Sequence, residues 1–301
     1  MTATNLRGPA SRRPGRSLPL ARILIRQFRA AIALWALSVL GVCLQLTLHY
    51  QGWADAVALR NRVGSEAYHF RNYVDDAHVM TARLLADGNI IAFRPALIAA
   101  VITGVLTARE WEARRVTLTL SQSVSPRRWF GVRWATMAGI LVVLTLPLVV
   151  LYQVSAAHAV RLDLLVHGWS VQAAYFSIGP VTLAYVLLGV AAGALTGTRL
   201  RRTLPTVIAA PVLTWLSAAL LVRSRAVLLL DFPLFPKVDG FHPGGLLGLQ
   251  FYDALPQDVY LVNSLGTGDY WGYQIASSVL VLALAAVFVL AAFRVLRRRT
   301  A

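Results

Sequence analysis

Two acids, Glu110 and Glu112, lie in the stretch Ala108 to Trp129, AREWEARRVTLTLSQSVSPRRW, with arginines around them at 109, 114, 115, 127, 128 and 133. Carboxylates so outnumbered must either pair locally or face a basic surface on a partner. In a water-exposed loop a local ion pair contributes about 0 to 1 kcal/mol, so removing either acid should hardly affect folding. At a protein interface, truncating one member of a desolvated pair costs about 2 to 5 kcal/mol. Glu110 and Glu112 are therefore candidate contact residues for another protein.

Other chemistries lack their residues. No G-x-x-x-x-G-K-[ST] loop is present, so the chain should not hydrolyse nucleotide by itself. Neither G-x-S-x-G nor H-E-x-x-H occurs, which leaves a hydrolase only scattered His and Asp to rest on. The six histidines, at 49, 69, 78, 158, 167 and 242, match no metal-ligand spacing. A single cysteine, Cys43, rules out a disulfide within one chain. The expectation is a non-enzyme with no metal and no cofactor of its own.

The elements that carry these residues are set by composition. With 57% hydrophobic residues, 14% charged residues and a mean hydropathy of +0.61, the chain reads as a polytopic, all-α membrane protein. The net charge of +16 does not make it a nucleic-acid binder, because the arginines cluster at the ends of apolar runs. Only one of its 29 basic residues is lysine, a usage that points to a GC-rich coding genome.

Six apolar runs approach the roughly 20 residues that cross a hydrocarbon core of about 30 Å: Ala30 to Leu48, Ile90 to Thr107, Trp134 to Ala156, Ser170 to Thr196, Leu204 to Val222 and Tyr270 to Phe293. Arg94 and Pro95 interrupt the start of the second, where Arg94 can snorkel outward. Pro205 and Pro211 predict a kink in the fifth. No Asp, Glu, Lys or Arg is near the middle of a run, which weakens a proton-coupled carrier. Ahead of these runs, residues 1–17 read as a disordered basic tail and not as a cleaved signal. Leu18 to Arg29 places Arg22, Arg26 and Arg29 on one helical face, predicting an amphipathic interfacial helix. Residues 18–301 form one domain.

Counting charge orients the chain. The N-terminal segment, the 108–133 loop, the 197–203 loop and the C-terminus hold 20 of the 29 basic residues, which places them, with both termini, in the cytosol. The 50–89 and 223–269 segments become long outer loops, and Val227 to Pro236 is short and apolar enough to dip into the outer leaflet. Ser125-Pro126 reads as the N-cap and first position of a new helix. Gly189, Gly193 and Gly197, at four-residue spacing, favour close helix packing within the chain or at a dimer seam.

The charged stretch also resembles the loop after the second span in actinobacterial ATP-binding-cassette permeases of the type 2 exporter class. There, a pattern like A-R-E-x-E-x-G-T is followed by Thr/Ser-Gln-x-Val and then Arg-Trp. The matching residues are Ala108, Arg109, Glu110 and Glu112, then Ser121, Gln122, Val124, Arg128 and Trp129. Arg201-Arg202-Thr203-Leu204-Pro205 is similar to the R-R-T-L-P that leads into that family's fifth span.

The resemblance implies a permease subunit in a bacterial plasma membrane, acting as a dimer with a second copy or paralogue. It further implies a separate cytosolic ATPase that carries ATP and Mg. That ATPase would work through a coupling loop containing Arg109, Glu110, Glu112, Gln122, Arg128 and Trp129, with Arg201 and Arg202 in a second cytosolic loop. The chain departs from the pattern where Arg114-Arg115 replaces Gly-Thr. The family's short surface helix meets Val116 to Leu120, whose period-two alternation favours a strand. A secondary carrier or a structural membrane protein working without an ATPase is the competing reading.

Overall fold

The computed structural model describes residues 29–63, 70–113, 125–161, 178–230 and 270–300. These residues form six helices: α1 (Arg29–Val63), α2 (Phe70–Glu112), α3 (Pro126–Arg161), α4 (Pro180–Leu200), α5 (Thr203–Leu230) and α6 (Tyr270–Thr300). Each contains a window long and apolar enough to cross a membrane, and no strand occurs among the described residues. The protein is an all-helical, multi-pass membrane protein.

The innermost helix is α4. It packs against α2, α6, α5 and α3, while α1 lies at the periphery against α3. Small side chains explain this placement. Between Gly189 and Thr198 the sequence GVAAGALTGT lets backbones approach closely, and in lipid such packing supplies much of the association energy. A Cβ on Gly193 would lie 2.8 Å from the Gly104 nitrogen, and one on Gly197 would lie 2.6 Å from the Gly104 carbonyl oxygen. Gly189 is packed as tightly against the Ala96 carbonyl. The glycine stripe thus serves packing inside the chain. Successive contacts of Ala96 with Gly189, Ala100 with Gly193 and Gly104 with Gly197 show that α2 and α4 run parallel at constant register.

The apolar runs mark the spans well, but the helices outrun them. Helix α1 continues to Val63 and α2 starts at Phe70, so much of the 50–89 segment, expected as an outer loop, is helical. Pro95 does not interrupt α2: the helix carries it through from Phe70 to Glu112. The helix of the fourth span begins at Pro180, after the non-helical Ile178 and Gly179, with 170–177 of the expected run outside the described residues, and Val227 to Leu230 extend α5 instead of dipping separately. Pro205 falls in the first turn of α5, where its missing N–H leaves no bond unmade, whereas Pro211 lies inside the helix. The amphipathic segment 18–28, the tail and residues 231–236 lie outside the described residues.

Candidate functional site

The charged stretch is helical at both of its described ends. Ala108 to Glu112 form the last turn of α2, and Pro126 begins α3. Ser125 is the N-cap that its sequence suggests: its Oγ accepts the Arg128 backbone N–H at 3.4 Å and its carbonyl accepts that of Trp129 at 3.1 Å. Residues 114–124, which include Gln122, lie outside the described residues.

The two acids take different local partners. Glu110 is buried, and its carboxylate meets the buried Arg133 guanidinium at 3.0 Å. Arg133 also donates to the Leu106 carbonyl at 3.0 Å, joining α3 to the last turn of α2. Glu112 is exposed and caps the neighbouring hairpin: it accepts the Thr203 backbone N–H at 2.6 Å and the Thr203 hydroxyl as well. A carboxylate at the first N–H groups of α5 meets both an orphan donor and the positive end of the helix dipole. Both donors favour its ionised form.

Between the acids, Trp111 stacks on Phe130 at 6.0 Å, and Phe130 passes the contact to Trp134 and then to Phe293 of α6, at 5.5 and 5.1 Å. Trp134 donates its indole N–H to Thr107 Oγ1 at 3.3 Å. On the other side of Trp111 lies Arg201, whose guanidinium carbon is 4.3 Å from the ring centroid. Arg201 ends α4 in the left-handed conformation, with φ 58, and its N–H bonds the Gly197 carbonyl at 3.2 Å. Glycine usually fills such a position, and a residue with a Cβ pays about 1 to 2 kcal/mol there. The cation–π contact, worth about 0.5 to 2 kcal/mol, offsets that strain. The ends of α2, α3, α4, α5 and α6 are thereby tied into one assembly.

Of the expected contact residues, Arg109, Glu112, Arg128 and Arg202 are exposed, Trp129 and Arg201 are half-buried, and Glu110 is buried. Thr203 lies in the Arg201 to Pro205 motif, whereas the assembly's other members, Trp111, Arg133 and Phe293, carry no motif that marks them. Arg133 reads from sequence as one more topology arginine, and only its burial separates it from the rest.

The opposite end of the bundle has a second polar group. Tyr270 donates to the Ile178 carbonyl at 3.0 Å, and Gln153 donates to the same carbonyl and to the Tyr270 hydroxyl. Gln274 accepts the Val181 backbone N–H at 3.0 Å, satisfying a donor at the start of α4. Asp87 accepts from Gln45 at 2.8 Å and is buried. Among the described residues, no three His, Cys, Asp or Glu side chains converge where a metal ion could bind.

A family model described as ABC-2 membrane transporter related matches residues 28–225. No curated protein and no solved structure matches the chain.

Proposed function

The chain belongs to the ABC-2 membrane transporter related family, and from that premise we propose that it is a dimeric exporter permease driven by a separate cytosolic ATPase. The family makes it a permease subunit of an ABC transporter, a multi-pass membrane component rather than the catalytic one. The drive, the direction of transport and the second copy are our reading. One observation carries it: where the charged stretch leaves the end of α2, three consecutive residues fasten it to three other helices. Glu112 grips the start of α5, and Glu110 with Trp111 grips α3 and, through Arg201, the end of α4.

The mechanism follows from that fastening. In this reading the ATPase docks on the arginine-rich end, against residues 113–125 and the exposed Arg109, Arg128 and Arg202. Closure of the ATPase pushes the segment, and the clamps at the end of α2 pass the displacement to α2, α3 and the α4–α5 turn together. Rigid helices coupled at one end tilt as units, which supports alternating access between two permease copies. No residue of this chain performs covalent chemistry in that cycle.

The test is capture from native membranes. A photocrosslinking amino acid placed at Arg128 or Arg202 should trap a protein carrying a Walker motif, identified by mass spectrometry. Repeated failure to trap any such ATPase, from both positions and at normal permease abundance, removes the coupling reading and leaves the ATPase-independent one.

A further inference from the structure

Arg94 sits at a depth where an arginine needs a reason. Helix α4 has 21 residues and is about 31 Å long, close to the thickness of a hydrocarbon core. The parallel register of α2 on α4 sets Ala96 beside Gly189, so Arg94 stands level with Leu187. That level is about 10 Å below the Pro180 end of the slab and about 20 Å from the Leu200 end. Charges at such depth are expensive, and they mark pathways or binding sites more often than they decorate a lipid face.

The surroundings sharpen the point. Arg94 is exposed and has no hydrogen bond or ion pair among the described residues. Pro95, Ala96, Ala99 and Ala100 turn into the bundle, while Ile98, one turn below Arg94, is 41% exposed. The nearest acid on the helix, Asp87, is about 10 Å along the axis and is engaged by Gln45. Helix α1 meets α2 above Arg94, at Gln45 with Asp87, and α5 meets it below, where Thr206 and Ala210 contact Gly104. Between those contacts α2 leaves an exposed strip, with one cation at Arg94 above the apolar Ile98.

We propose that Arg94 and this strip of α2 form a lateral binding site for the anionic head of a membrane amphiphile, a phosphate-bearing lipid of net negative charge. Helical side chains lean toward the helix N-terminus, which carries the Arg94 guanidinium toward the nearer, Pro180 end of the slab. Its planar fork matches two phosphate oxygens at once, which an ammonium does not. The acyl chains lie below, along Ile98 and the apolar face. A net-negative head is favoured over a zwitterionic one because no acid pairs with Arg94 among the described residues, which leaves its charge for the ligand to balance. The inference rests on the bundle geometry alone and does not require an ATPase.

The experiment uses the full chain, purified in mild detergent and offered equal amounts of phosphatidylglycerol and phosphatidylcholine, with retained lipid counted by native mass spectrometry. The parent protein should keep phosphatidylglycerol selectively. Arg94→Gln should lose that selectivity severalfold and Arg94→Lys should keep part of it, whereas Arg298→Gln, at the other end of the bundle, should leave it unchanged. Should Arg94→Gln not accumulate, the graded loss in Arg94→Lys carries the test. Unchanged retention in the Arg94 variants overturns the site, as does an equal loss in Arg298→Gln. Equal retention of both lipids by the parent shows phosphate contact without selectivity and overturns the anionic assignment. A change in oligomeric state in place of lipid loss makes a second copy the occupant and overturns the proposal as well.

Discussion

The carboxylate of Glu110 and the guanidinium of Arg133 meet at 3.0 Å with side chains only 7% and 2% exposed, so α2 and α3 share a desolvated charge pair. That burial changes the expectation for Glu110. Removing one member of a buried pair strands the other, at about 3 to 5 kcal/mol, whereas replacing both by apolar residues of similar volume is often neutral. Glu110→Ala and Arg133→Met should each lower abundance and thermal stability of the purified protein. The double variant Glu110→Leu/Arg133→Met should lie nearer the parent than either single one. Additive losses would show that the two residues act independently.

Glu112 should behave differently, because it is exposed and links two helix ends rather than filling a core. Glu112→Ala and Thr203→Val should both insert at normal abundance. Each should lower the ATPase activity of the complex at matched permease levels, Thr203→Val by less because it keeps the backbone N–H bond, and combining them should add little to Glu112→Ala, which already removes both bonds. Full activity in Glu112→Ala would mean that this clamp has no part in coupling.

The glycine contacts give a stability test with an internal control. A Cβ at Gly193 lies 2.8 Å from the Gly104 nitrogen and 3.1 Å from Thr103 Cβ, so Gly193→Val must push α2 and α4 apart. Overpacking of that kind costs about 1 to 3 kcal/mol. Gly41, on α1, has nothing within 4 Å of its built Cβ, and Gly41→Ala should be tolerated. Melting of both variants by intrinsic fluorescence reads the difference, and equal melting points would contradict the parallel α2–α4 packing.

Orientation is tested by accessibility. With Cys43 replaced by Ser, a cysteine at Gln51 should react with a membrane-impermeant thiol reagent in intact cells, and one at Arg202 should react only after lysis. Both positions are exposed, so access to them depends on which side of the membrane they face. Labelling of Arg202→Cys from outside would reverse the orientation and remove the docking face for a cytosolic ATPase.

By itself the sequence determined what the bilayer enforces. Six apolar runs of the right length had to become helices, because backbone groups in hydrocarbon find partners only within a helix or a closed barrel. Local rules carried equally far at Ser125-Pro126, where one hydroxyl and one fixed φ start α3. The small-residue period at Gly189, Gly193 and Gly197 announced close packing but not its partner, since a stripe fits another helix of the same chain as well as a second copy. Only the tertiary structure set it against Ala96, Ala100 and Gly104. The fate of the acids was likewise hidden. Glu110 and Glu112 stand two residues apart with similar neighbours, yet the turn of α2 sends one into Arg133 and the other to Thr203, 91 residues further along the chain. Such pairings depend on the approach of distant helices. Nothing in the local pattern encodes that approach.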